Sequence, residues 1–113
     1  MPHDSGAVRG FAHDAEVWPD PSFPEGGPIR GRDRIRGFYS RLIEDPGTTV
    51  TMRDAQAVGD NVLVSFEWHA VGEASGIETS STWYSVSTFR GDEVVRTQFF
   101  ADREAARKAA GLQ

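Results

Sequence analysis

The chain has no cysteine in its 113 residues, which excludes disulfide bonds and thiolate metal ligation. It has no run near the ~20 apolar residues that a membrane-spanning helix needs. Its opening, Met1-Pro-His-Asp4, has neither the basic start nor the apolar stretch of a secretory signal. A cytoplasmic location is the default expectation. Positive charge is also in deficit, with 12 Lys and Arg against 17 Asp and Glu. The net charge of −5 argues against nucleic acid or an anionic membrane as partner. Eleven of the 12 basic residues are arginine, which we read as genomic composition rather than function. The three histidines show no metal-ligand spacing, so no metal and no cofactor are expected.

Large aromatics alternating with small or polar residues dominate the second half of the chain. In Asn61–Val71, Val62, Val64, Phe66, Trp68 and Ala70 share one face; Ser65, Glu67 and His69 share the other. Gly76 to Phe89 places Trp83 with Ser81, Ser85 and Ser87, and Glu93 to Ala101 offers Val95, Thr97, Phe99 and Ala101. A period of two over such lengths predicts half-buried antiparallel strands. A face that mixes tryptophan and phenylalanine with hydroxyls suits the wall of a cavity for an organic molecule. It equally suits ordinary core packing, because both need the same inward parity.

The chain length fits one domain, residues 1–113, with a single core. Residues 5 to 12 predict a short helix capped by Ser5, with Val8, Phe11 and Ala12 on one face. Ala15 to Trp18 reads as a brief strand stopped by Pro19, and Pro19 to Gly31 as a Pro- and Gly-rich loop. Asp33 opens an amphipathic helix carrying Ile35, Phe38, Tyr39, Leu42 and Ile43, and Pro46-Gly47 ends it. Strands are predicted over Val50 to Val58, Asn61 to Val71, Gly76 to Phe89 and Glu93 to Ala101. Gly59-Asp60 and Gly91-Asp92 would make the hairpin turns. Asp102 would cap a last helix, Arg103 to Ala110, stopped by Gly111. Helices first and an antiparallel meander after them indicate an α+β domain with helices on one sheet face.

Three stretches carry a family resemblance: His13-Asp-Ala-Glu-Val-Trp18, Ile29-Arg-Gly-Arg-Asp-Arg-Ile-Arg-Gly-Phe-Tyr39, and Val94 to Ala105 with Ala110-Gly-Leu112. Gly72-Glu-Ala-Ser-Gly76 matches the family's link between its two long strands. In order and spacing the chain resembles the SnoaL-like branch of the NTF2-like (cystatin-like α+β) superfamily. The resemblance implies a cone: a curved antiparallel sheet wrapped around helices, with a ligand pocket in its mouth, pairing as a homodimer. Family members begin with a longer helix than the dozen residues here allow. The first helix is therefore expected to be short or missing, leaving apolar sheet surface that would lower stability.

Candidate site residues follow from both readings. Trp18, Phe66, Trp68, Trp83 and Phe99 are expected to bind ligand, with Tyr39 beside them. Asp20, in Trp18-Pro-Asp-Pro21, resembles the general base of ketosteroid isomerases, which are distant relatives. Trp18 and Phe23 would supply the apolar setting that raises a carboxyl pKa. Asp20 also suits a cap in a Pro-rich turn. The isomerases' protonated acid corresponds here to Ser85, so Ser85 or Tyr39 would donate to a developing oxyanion. His13 and Asp14 are strand neighbours that point apart, and the resemblance gives them a positioning role. His69 falls on the outer face with Glu67 and Ser65. Arg30, Arg32, Arg34, Arg36 and Arg41 read as a solvated helix face.

The leading expectation is a homodimeric SnoaL-like domain whose cone binds a small hydrophobic or aromatic organic molecule. The alternatives are an isomerase, cyclase or hydrolase with Asp20 as base, and a non-catalytic interaction module. Tyr84, Phe100 and Val86, opposite the pocket, are expected to form the dimer face.

Overall fold

The computed structural model describes residues 10–20, 27–43, 47–72 and 74–112, apart from the side chains of residues 42 and 43. The expected helix residues Ser5 and Val8, the aromatic Phe23, and Pro46 lie outside the described residues, as do the side chains of Leu42 and Ile43. Among the described residues, six strands and two helices run in the order β1 (Phe11–Trp18), β2 (Ile29–Arg30), α1 (Arg32–Ile43), β3 (Thr48–Val58), β4 (Asn61–Val71), β5 (Glu78–Arg90), β6 (Glu93–Phe100) and α2 (Arg103–Ala110). They form an α+β fold with one curved, unclosed sheet, ordered β2-β1-β6-β5-β4-β3. Only β1 and β6 pair in parallel; all other neighbours are antiparallel.

Both hairpins close over two residues. Gly59 and Gly91 take positive φ at the first turn position (59° and 66°), and no other residue type does so among the described residues. That is the II′ pattern, whose twist matches the strands it joins. Asp102 caps α2 by accepting from the Ala105 amide at 3.2 Å, and Gly111 ends the helix with φ of 99°.

Phe11 and Ala12 belong to β1, not to the expected helix. Both are buried, and β1 lies beside β6, where strand pairing satisfies backbone groups that a short helix would leave open. The expected loop also contains β2, which pairs Arg30 with Glu16 and Ile29 with Val17.

α1 covers one face of the sheet. Ile35 and Phe38, both 0% exposed, pack with Ala15, Val17, Ile29 and Phe99 into the main core. Burial of each such side chain is worth about 1.5–3 kcal/mol. Arg32 fastens the start of the helix by donating from Nε and Nη2 to the Phe11 carbonyl, at 3.1 and 2.9 Å. Arg30 pairs with Glu16 at 2.7 Å, and this hydrogen bond, with a second from Trp18, holds the Glu16 carboxyl below its ordinary pKa. Part of the arginine cluster therefore ties elements together.

The helices do not share one face as expected: α2 covers part of the other, because Ala106 and Ala110 pack on Val86, whose parity is opposite to that of Ser85 and Ser87. Val86 is 1% exposed, with Leu63, Tyr84 and Phe100 around the contact. The apolar group expected to meet a second copy is thus already engaged by the chain's own helix. The small alanines let α2 approach close enough to do so.

Candidate functional site

β4, β5 and β6 present one continuous face toward α1. Cross-strand pairs set it: Phe66 stands opposite Trp83, Trp68 opposite Ser81, Ser85 opposite Phe99, and Ser87 opposite Thr97. Pleating sends every second side chain to this face, so register alone gathers the aromatics.

Between this face and α1 lies a cavity of about 360 Å³. Its aromatic walls are Phe11, Tyr39, Phe66, Trp68, Trp83 and Phe99. Val64 lies among them on β4, while Val50 and Met52 come from the edge strand β3. Val50 and Met52 are 43% and 65% exposed, so the cavity opens on the β3 side. The polar contribution is three hydroxyl side chains on the sheet, Ser85, Ser87 and Thr97, with the Tyr39 hydroxyl from α1. No carboxylate, histidine, lysine or arginine lines the cavity among the described residues.

The hydroxyls divide into two kinds. Ser87 and Thr97 bond one another at 2.9 Å, which satisfies the buried Thr97. Tyr39 and Ser85 have no hydrogen-bond partner among the described residues. Desolvation by burial raises the Tyr39 pKa above its ordinary value, so at neutral pH this phenol is a donor and not an anion. Its ring is fixed by Phe38 at 5.4 Å and by edge-on contact with Phe99 at 6.2 Å.

Of the residues expected to bind ligand, Phe66, Trp68, Trp83 and Phe99 lie on the cavity wall, as do Tyr39 and Ser85. Trp18 and Asp20 do not. Val17 is 0% exposed beneath α1, so the next residue in the strand must point away. Trp18 accordingly sits on the outer face, 38% exposed, donating from Nε1 to Glu16 at 3.1 Å. The Asp20 carboxylate accepts from the Ala101 amide at 3.0 Å, which ties the exit of β1 to the end of β6. His69 stands on the outer face with its Nδ1 3.2 Å from Ser80 Oγ and its Nε2 3.5 Å from Glu78. No group of three or more potential metal ligands occurs among the described residues. No described helix is long and apolar enough to cross a membrane.

Three cavity residues escaped the sequence reading: Phe11, Val50 and Met52. Phe11 was hidden by its assignment to a helix. Val50 and Met52 alternate with Thr49 and Thr51, so the strand period was present, but nothing local says which parity faces inward.

Residues 2–97 match the SnoaL-like domain. The chain belongs to that family. No protein of curated function matches the sequence. Solved structures share the fold. A hypothetical protein with a ketosteroid isomerase-like fold from Catenulispora acidiphila, in complex with trimethylamine, superposes with a TM-score of 0.72 at 18% identity. That match covers 100% of this chain and 85% of the other. TerC, co-crystallised with polyporic acid, gives 0.72 at 19% identity, over 93% and 83% of the two chains. A protein named as a candidate SnoaL-like polyketide cyclase from Jannaschia sp. CCS1 gives 0.72 at 17%, over 96% and 79%. At these identities the likeness establishes the fold of the SnoaL-like cone and nothing finer.

Proposed function

We propose that the cone binds a small, uncharged, largely aromatic molecule bearing an oxygen acceptor. The observation that carries this reading is the composition of the cavity wall: six aromatic rings, three aliphatic side chains and hydroxyls, with no ionisable base or cation among the described residues. An apolar cavity with a few placed polar groups is the usual form of a small-molecule site. A buried charge without a partner would cost several kcal/mol, so a neutral ligand fits the wall best. Tyr39 and Ser85 would donate to a carbonyl or hydroxyl oxygen, which gives the ligand one polar end. That related cones have been crystallised with trimethylamine and with polyporic acid supports an organic occupant.

Tyr39 and Ser85 would also suit an oxyanion formed during proton transfer. The described wall supplies no base for that reaction, and the Asp20 carboxylate is held by the Ala101 amide, so binding is the favoured reading.

The test uses two probes of similar shape, 2-acetylnaphthalene and naphthalene-2-sulfonate. The neutral ketone is expected to quench Trp68 and Trp83 fluorescence saturably, with a dissociation constant of about 10 µM. The sulfonate should not, because the wall offers it no cation among the described residues. Equal response to both, or a response unchanged in Trp68→Ala and Trp83→Phe, would overturn the proposal.

A further inference from the structure

The sheet face opposite the cone holds a second cavity, of about 210 Å³, between β3, β4, β5 and α2. Its walls differ in kind from those of the first. Arg103 and Arg107 reach it from α2, and Asp54 and Gln56 from β3, with the hydroxyls of Ser65 and Thr82 between them.

A break in strand register puts the carboxylate there. Val50 pairs with Trp68 and Met52 with Phe66, both on the cone side. A β-bulge then intervenes, and Asp54 pairs with Ser65 and Gln56 with Leu63. Ser65 has the opposite parity to Phe66, so Asp54 faces outward. In an unbroken strand Asp54 would share the parity of Val50 and Met52 and enter the apolar cone. Bulges commonly re-aim side chains in this way at functional sites. The extra residue, Arg53, pairs with Glu67.

Arg103 and Arg107 are one helical turn apart and share a face of α2. Arg103 is not within ion-pair distance of Asp54, and neither of the two has an ion-pair partner among the described residues. One small cavity therefore carries a cation, Arg103, and an anion, Asp54, that do not neutralise each other. A plain anion would pair with the arginines and be repelled by Asp54. A plain cation would meet the reverse. A molecule with both charges satisfies the two ends together, and a carboxylate suits the forked donors of arginine.

We propose that this outer groove binds a small zwitterion of the α-amino-acid class. Its carboxylate would lie on Arg103 and Arg107 and its ammonium on Asp54, with Ser65 and Thr82 donating or accepting at the middle. This site is separate from the cone and does not depend on what the cone binds.

The experiment is amide chemical-shift titration of the full chain with L-serine, acetate, methylammonium and inorganic phosphate. L-Serine is expected to shift the Ser65, Thr82 and Arg103 amides saturably, with a dissociation constant of about 1 mM or tighter. It should bind at least about fivefold more tightly than acetate or methylammonium. Asp54→Asn and Arg103→Gln should each weaken L-serine by about fivefold or more while the remaining amide spectrum stays native. Binding of phosphate or acetate that matches L-serine and strengthens in Asp54→Asn would make this a simple anion site and overturn the proposal. Absence of saturation, or unchanged affinity in both variants, would overturn it as well.

Discussion

Phe66 meets Phe99 edge-on, with ring centroids 6.2 Å apart and planes at 85°. The contact joins two regions with different tasks. Phe99 is 8% exposed and belongs to the buried core with Phe38, whereas Phe66 is half-buried on the cavity wall. The cavity is therefore continuous with the core through this ring pair.

Substitutions on the two sides of this contact should behave differently. Phe38→Ala removes a fully buried ring and should lower unfolding free energy by about 3–5 kcal/mol in urea titration. Trp83→Ala, on a partly solvated wall, should cost clearly less, under about 3 kcal/mol. Equal losses would mean that Trp83 is packed as core and that the cavity closes in solution.

The raised pKa of Tyr39 sets an alkaline limit. An unfolded tyrosine titrates near 10.0, and burial moves the folded value upward. The stabilisation is complete below pH 10.0 and is lost as pH rises toward the folded value, because only the unfolded state then gains by ionising. Tyr39→Phe should therefore flatten the decline of melting temperature between pH 10 and pH 12 relative to wild type. An identical decline in both proteins would place the titrating group elsewhere.

Asp20→Ala separates structure from chemistry. It removes the acceptor for the Ala101 amide and should destabilise the protein by about 1 kcal/mol. Quenching by 2-acetylnaphthalene should stay within about twofold of wild type, since Asp20 does not line the cavity. A selective loss of ligand response with unchanged melting temperature would restore Asp20 to the site.

Val86→Arg probes the outer face. Val86 lies beneath Ala106 and Ala110, so a guanidinium there would detach α2 and lower the melting temperature by many degrees. If light scattering instead showed a folded protein whose mass had halved, Val86 would be an interface between copies and the contact with α2 would be secondary.

The sequence by itself determined the elements that rest on local chemistry. The bounds of β4 and α2, the two glycine turns and the Asp102 cap all follow from strand period, turn residues and capping preference over a few neighbours. Parity within β4, β5 and β6 also told which residues would share a face, and so Phe66, Trp68, Trp83, Ser85 and Phe99 met on one wall. The tertiary structure decided what depends on partners distant in the chain. Phe11 and Ala12 became strand because β6 pairs beside them, although their spacing also suited a helix. Trp18 turned outward because α1 claims the parity of Val17. Asp54 left the cone through a bulge that the sequence does not mark, and α2 packed onto Val86 on the outer face. A residue's side of a strand is local information, but which side is buried is settled only when the sheet finds what covers it.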